Sequence, residues 1–212
     1  VIGMKMNVEE IALNGYELTD CLDHDALIPF LNEKLQLKKS LAYYVYLVFL
    51  MLPLAALSYT ITFFAAKGEL ALHTTILHVV LGIVFVLAFI PIHELLHWVA
   101  YKLVGAQKVS FQANFKKLYF LTVANKFVTN SSEFRLVATL PFLSAIVLAI
   151  FAIAFSGVYW SITWIVFLLI HNFFCGGDFI LLNFMENNRK QGIITYDDTE
   201  KKVSYFFLKK KY

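Results

Sequence analysis

Three stretches of this sequence contain no Asp, Glu, Lys or Arg, and they limit the chain to folds built from long apolar helices. Residues 41–64 and 70–93 are each charge-free over 24 residues, and a transmembrane helix needs about 20 apolar residues. Residues 136–177 are charge-free over 42 residues, which suits two helices joined at Ser156-Gly157-Val158-Tyr159. Hydrophobic residues make up 59% of the chain, well above the usual share in a soluble domain. The pattern predicts four transmembrane helices, near residues 41–64, 71–101, 136–155 and 160–183.

The basic residues predict how these helices are oriented. They fall before the first predicted helix, between the second and third, and after the fourth: Lys38 and Lys39; Lys102, Lys108, Lys116, Lys117, Lys126 and Arg135; Arg189, Lys190, Lys201, Lys202 and Lys209 to Lys211. All three groups can be cytoplasmic together only if the number of spans is even and both termini are inside. We therefore expect a multi-pass cell-membrane protein with both termini in the cytoplasm. The net charge of +3 then reflects topology and an anionic inner leaflet, so the expected partner is the lipid bilayer and not nucleic acid.

The motif His93-Glu94-Leu95-Leu96-His97 stands at the end of the second charge-free stretch. Histidines at positions i and i+4 lie on one face of a helix and suit two nitrogen ligands of one zinc ion, with the neighbouring Glu94 as a general base. Ionisable groups inside a membrane cost several kcal/mol unless they pair or bind a metal, which favours a functional site. The alternative is a chance match at a helix end, with both histidines satisfied by backbone or by another helix.

A catalytic zinc takes three protein ligands, and the fourth predicted helix offers His171 and Asp178 as the third. At 1.5 Å per residue, His93 and His97 lie about 13 and 8 Å inside the cytoplasmic end of their helix. By the same rise, Asp178 lies about 12 Å inside its own helix and His171 about 22 Å. The matching depths predict His93, His97 and Asp178 as the metal ligands. For Asp178 the alternative is a helix-end carboxylate paired with a lysine.

Other polar residues in the apolar segments have less defined roles. His171 is either a neighbour of the metal ligands that stabilises charge or a hydrogen-bonded structural histidine, and Asn172 could hold substrate or a ligand. Cys175 could ligate a soft metal, although a buried free thiol is the commoner state of such a cysteine. His73 and His78 lie about 20 to 30 Å along the helix from the motif and cannot join it.

An HExxH helix within the membrane, followed by an aspartate on a later helix, resembles the site-2-protease type of intramembrane zinc metalloprotease. The sequence is more similar still to the small bacterial membrane proteins grouped as putative zincin peptidases. The resemblance covers about residues 70–185, and the matching residues are His93, Glu94, His97 and Asp178. One departure is that residues 171–178 contain no proline and place two glycines before the aspartate. The resemblance implies a zinc metalloendopeptidase that cleaves membrane proteins or peptides.

Short β-prone segments accompany the helices. Residues 109–115 alternate apolar and polar side chains, and residues 118–123 form a second run, which predicts a hairpin at the membrane surface. This hairpin could pair with an extended substrate through an edge strand, or rest on the membrane without a substrate role. Residues 193–196 and 203–207 predict a second hairpin that could extend the first sheet, and 25–37 predicts a short helix.

The predicted fold class is an all-α membrane protein, a bundle of about four transmembrane helices with a small membrane-surface β-hairpin or sheet. Its expected segments are a cytoplasmic amphipathic stretch at 1–40, a transmembrane metalloprotease core at 41–185 and a cytoplasmic hairpin and tail at 186–212.

Two functions remain open from the sequence. The first is an intramembrane zinc metallopeptidase that hydrolyses peptide bonds through a metal-activated water, with Glu94 as the catalytic base. The second is a non-catalytic membrane protein in which the same residues form a structural metal or polar cluster, as in a regulator or assembly factor. Two histidines and one carboxylate would also suit Fe(II).

Overall fold

The computed structural model describes residues 8–114 and 119–210, and of Tyr119 only the backbone. Short 3₁₀ turns at His24–Ala26 and Arg189–Gln191 accompany the regular elements. In chain order these elements are α1 (Val8–Leu13), β1 (Tyr16–Asp23), α2 (Leu27–Leu35), α3 (Leu41–Ala66), α4 (Leu72–Leu103), β2 (Val109–Asn114), β3 (Tyr119–Ala124), β4 (Val128–Asn130), α5 (Ser131–Ala154), α6 (Val158–Phe174), α7 (Gly176–Asn187), β5 (Ile194–Asp198) and β6 (Val203–Lys209).

The charge-free stretches form the long helices. In the described part of the chain, α3, α4 and α5 are each long and apolar enough to cross a membrane. The fourth predicted helix is not continuous over 160–183, because α6 and α7 meet at Cys175 with a bend of 47°. Gly176 and Gly177 explain the break, since glycine is among the least favourable helix residues. The described residues therefore contain three candidate spans, or four if the bent pair counts as one.

Each of these three long helices contains an interior proline, and in α3 a side chain compensates for it. Pro53 has no backbone N–H, so the Phe49 carbonyl loses its partner within the helix. Asn172 of α6 donates from Nδ2 to that carbonyl oxygen over 2.9 Å, and its own carbonyl oxygen accepts from Tyr46 Oη over 3.0 Å. Asn172 Oδ1 has no partner within the described residues. The side-chain amide of Asn172 thus supplies the hydrogen-bond donor that Pro53 cannot provide to the Phe49 carbonyl.

Helices α4 and α6 approach closely at Gly82. A Cβ atom at Gly82 would lie 2.7 Å from the Thr163 carbonyl oxygen and 2.8 Å from Val166 Cβ, closer than real Cβ contacts. Small residues allow apolar helices to approach this closely, and van der Waals packing then contributes much of the energy of their association.

We expect Gly82→Ala to lower the free energy of unfolding by about 1–3 kcal/mol, because the added methyl group overpacks the contact. The matched control is Gly157→Ala, since a Cβ at Gly157 meets no atom within 4 Å. Thermal unfolding in detergent, followed by tryptophan fluorescence, compares the two variants. Equal unfolding temperatures for both would contradict the close packing at Gly82.

Two antiparallel sheets accompany the helices. One has the strand order β1-β6-β5-β4, and the other is the hairpin β2-β3. Both hairpins expected from the sequence are present, although Phe115 to Leu118 lie outside the described residues. From the sequence, the C-terminal hairpin β5-β6 could have extended the β2-β3 sheet. Instead, β5 pairs with β4 and β6 pairs with β1. Strand β1 was not expected, because Asp20 and Cys21 interrupt the alternation of apolar and polar residues in its sequence YELTDCLD.

The chain divides into two compact units. The first contains the residues up to Tyr43, Glu94–Leu140 and the chain from Gly177 onward, so it holds both sheets. Its sheet core is formed by Ile11, Val128, Ile194, Tyr196 and Phe207. The second contains Tyr44–His93 and Pro141–Gly176 and consists of helices. The division into segments 1–40, 41–185 and 186–212, which we expect from the sequence, stays a prediction.

Candidate metal site

The His-Glu-x-x-His motif lies on a continuous helix, in the last third of α4. Ligand atoms of His93, Glu94 and His97 all lie within 4.8 Å of one another. His93 and His97 are one helical turn apart, so their side chains are neighbours on the helix surface. His93 is 9% exposed and His97 is 6% exposed. The motif residues are therefore largely shielded and close enough to share one ion.

His97 has a defined hydrogen-bond partner at one nitrogen and a carboxylate at the other. Its Nδ1 donates to the Val137 carbonyl oxygen over 2.9 Å, and its Nε2 lies 3.5 Å from Asp178 Oδ1. Because a carbonyl oxygen only accepts, Nδ1 carries the hydrogen and Nε2 can bind a cation through its lone pair. Two ligand atoms of one tetrahedral zinc are about 3.4 Å apart, so His97 and Asp178 fit a shared zinc.

His93 interacts with a second histidine, on α6. His93 Nδ1 and His171 Nε2 share a hydrogen bond of 3.1 Å, and His171 is 2% exposed. Since this contact uses Nδ1, His93 would bind a metal through Nε2. The structure therefore places His171 in hydrogen-bond contact with a predicted ligand, and both roles that the sequence left open for His171 agree with this contact.

A second group of possible ligand atoms also includes His93. His93, His171 and Cys175 have ligand atoms within 4.8 Å of one another, and Cys175 Sγ lies 3.8 Å from His171 Nδ1. Cys175 is completely buried. A thiolate with two imidazoles suits a soft ion or a closed structural site. His93 belongs both to this group and to the group with Glu94 and His97. The two groups are therefore alternative metal sites that would compete for His93.

Glu94 receives a hydrogen bond from the β2-β3 hairpin. Thr122 Oγ1 lies 2.7 Å from Glu94 Oε2 and donates to it, and it also lies 3.2 Å from the Glu94 carbonyl oxygen. Thr122 is 6% exposed. Sequence reasoning missed this residue, because a threonine in a β-prone run carries no sign of its partner. The contact restricts the direction in which the Glu94 carboxylate points.

A buried polar network connects the same hairpin to the four-stranded sheet. His24 bonds Gln112 Oε1 of β2 over 2.8 Å and Ser204 Oγ of β6 over 3.0 Å. Ser204 donates to Asp197 Oδ1 over 2.6 Å, and Asp197 Oδ2 accepts from the Ala124 amide over 3.2 Å. Burial raises the pKa of the Asp197 carboxyl. These bonds hold β2 and β3 in place and so support the position of Thr122.

The remaining histidines of α4 lie apart from the motif, as expected. His78 is buried and bonds Thr163 Oγ1 through Nδ1 over 2.8 Å, and it stacks on Tyr159. His73 is exposed near the start of the helix. Both lie at least 15 residues before His93.

Comparison with known proteins gives a match to a family model described as "Putative zincin peptidase" over residues 86–192, which is half of the chain. The matched region includes all four residues expected at the site. No curated protein matches the chain. No solved structure matches it either.

Proposed function

Since this chain belongs to the family of putative zincin peptidases, we propose that it is a zinc metalloendopeptidase that cleaves membrane proteins or membrane-associated peptides. The observation that carries the proposal is the pairing of the His-Glu-x-x-His helix with a carboxylate, His97 Nε2 and Asp178 Oδ1 being 3.5 Å apart. A chance motif at a helix end would have no reason to meet a second ligand of the right type.

In this proposal His93, His97 and Asp178 hold the zinc. Each histidine binds through Nε2, while its Nδ1 is engaged by His171 or by the Val137 carbonyl. Such outer hydrogen bonds fix the ring orientation of metal-ligating histidines and raise their basicity. When bound, zinc polarises the scissile carbonyl and lowers the pKa of a water molecule to about 7.

Glu94 transfers the proton during hydrolysis. Its carboxylate accepts the proton of the attacking water and later gives it to the leaving amine, as a general base and then a general acid. The Thr122 hydroxyl keeps one carboxylate oxygen engaged, so that the other is directed to the substrate side. The hydrogen bond also restricts the rotamers of the Glu94 side chain before the reaction, so less conformational entropy is lost on reaching the transition state.

We further propose that this chemistry takes place within the cytoplasmic third of a bacterial cell membrane, as in site-2 proteases, with both chain termini in the cytoplasm. The support is the position of His97, six residues before the end of the 32-residue apolar helix α4. A site at this depth is close enough to the cytoplasm for water to enter, and the basic residues favour the cytoplasm for that end of the helix.

The hairpin offers a way to present substrate. In the described part of the chain β3 pairs as a strand only with β2, and its end at Ala124 bonds Asp197. An extended peptide would add to the outer edge of β3 ahead of Ala124. Thr122 of β3 touches Glu94, so a peptide added along this edge would run beside the catalytic base. An extended peptide exposes its carbonyls to attack, whereas a helical one shields them.

A structural metal site is the second candidate, and the group His93, His171 and Cys175 favours it. In that case the protein would be a regulator or assembly factor without turnover. Cys175→Ala separates the two candidates, because a structural site that uses the thiolate would lose its metal and the peptidase site would keep it.

The test of the proposal is the metal content of protein purified in detergent without chelator, measured by inductively coupled plasma mass spectrometry. About one zinc per chain is expected in the wild type and in Cys175→Ala. A wild type without metal would contradict the proposal, and loss of metal in Cys175→Ala alongside a loaded wild type would support the structural candidate.

Thr122→Val should lower kcat about 10- to 100-fold and leave the zinc content unchanged. The substitution is nearly isosteric and removes only the hydroxyl that orients Glu94, a hydrogen bond to a charged group worth about 1.5–3 kcal/mol. Hydrolysis of β-casein in detergent is the assay. Thr122→Ser is the matched control and should keep most of the rate; equal rates in both variants would show that Thr122 has no effect on Glu94.

A further inference from the structure

We propose that Pro141, an interior proline of α5, positions His97 for metal binding by releasing the Val137 carbonyl from the helix. The proposal rests on the proposed function, because His97 is there a zinc ligand. An interior proline such as Pro141 commonly kinks a helix. The structure adds that the carbonyl four residues before this proline is the acceptor of His97 Nδ1.

The first step follows from helix geometry. In a regular α-helix the carbonyl of residue 137 accepts the N–H of residue 141. Residue 141 is proline, which has no N–H and whose ring pushes the preceding turn away. Val137 is 4% exposed, so its carbonyl would be buried without a strong donor. A buried carbonyl of this kind is destabilising by about 1–3 kcal/mol unless another donor reaches it.

The second step concerns the donor that reaches it. His97 donates from Nδ1 over 2.9 Å, and both residues belong to the first compact unit. A carbonyl oxygen has no hydrogen to give, so the bond selects the neutral tautomer in which Nδ1 carries the hydrogen. The lone pair is then at Nε2, the nitrogen 3.5 Å from Asp178 Oδ1. Pro141 thus determines which nitrogen of His97 is available to a cation.

A similar arrangement occurs in α3, where the carbonyl released by a proline also accepts a hydrogen bond from a polar side chain. Pro53 releases the Phe49 carbonyl, and Asn172 Nδ2 donates to it over 2.9 Å. The recruited donor there is an amide and not an expected metal ligand. Pro53 therefore provides a matched control for Pro141.

The experiment compares zinc affinity in Pro141→Ala and Pro53→Ala, measured by competition with a chromophoric chelator in detergent. Alanine at 141 restores the N–H that competes with His97 for the Val137 oxygen, so the zinc dissociation constant should rise about 10- to 100-fold, the usual effect of losing an outer partner of a metal ligand. Pro53→Ala should stay within twofold of wild type. The unfolding temperature of the zinc-free Pro141→Ala variant should not fall, because alanine favours the helix.

Two further measurements separate positioning from a general effect on the helix. Pro141→Gly also restores the N–H but is a poor helix former, so it should weaken zinc binding as Pro141→Ala does. Co²⁺ loaded in place of zinc should show altered visible absorption in both variants. A zinc dissociation constant within twofold of wild type in Pro141→Ala, or an equal loss in Pro53→Ala, would overturn the proposal. A wild type that binds no zinc would instead overturn the proposed function, and this inference with it.

Discussion

Glu94→Gln is expected to abolish peptide hydrolysis while zinc stays bound. Glutamine has the size of glutamate, and its amide oxygen can still accept the hydrogen bond from Thr122. It cannot take a proton from water, so the general base is lost, and the rate should fall by about 10² to 10⁴ or more. The rate of β-casein cleavage and the zinc content, measured on the same preparation, test both parts.

The control for this variant is Glu69→Gln, which makes the same change at an exposed position between α3 and α4. It should keep wild-type activity and zinc. If Glu94→Gln were as active as Glu69→Gln, Glu94 would not be the base and the peptidase mechanism proposed above would be wrong. If both wild type and control were inactive but contained zinc, the structural candidate would gain support.

His97→Ala and Asp178→Ala are each expected to lose nearly all bound zinc, from about one ion per chain to less than about 0.1. Removal of one of three protein ligands leaves too few donors to hold zinc against dilution and washing. The two residues face each other, so each substitution should have the same effect. Mass spectrometry of the metal after gel filtration gives the measurement.

His78→Ala is the matched control for the histidine variant, because His78 is a buried histidine on the same helix that bonds Thr163. It should keep its zinc even if its stability falls. Retention of zinc in Asp178→Ala, together with loss in His97→Ala, would mean that another residue supplies the third ligand. His171 would then be the first candidate, since it bonds His93.

The helices and the motif could be predicted because their signals are local. An apolar stretch without charges specifies a long helix wherever it lies, as α3, α4 and α5 confirm. The spacing of His93 and His97 places them on one face because helix periodicity alone decides it. The comparison of depths that selected Asp178 treated each helix as a straight rod, measured from the end expected to be cytoplasmic.

What sequence reasoning missed depends on contacts between distant residues. Thr122 and Glu94 are 28 positions apart, and His24 bonds residues 88 and 180 positions away. In strand β1 the alternation of apolar and polar residues is interrupted at Asp20, where the pairing with β6 shifts register, so the pattern that predicts strands is incomplete. The bend at Cys175 could have been anticipated from Gly176 and Gly177, but two glycines suit a close helix contact equally well.

The pairing of β1 with β6 has a consequence for the order in which the protein is assembled. Tyr16 lies opposite Lys209, so a strand that precedes the long helices in the chain pairs with one that follows them. Helices α3, α4 and α5 are encoded between these two strands. The sheet can close only after these helices have been synthesised, and the loop-closure entropy of so distant a contact makes it a late step. The polar bond between His24 and Ser204 forms at this same junction, so β1 must remain unpaired with β6 throughout synthesis of the apolar helices.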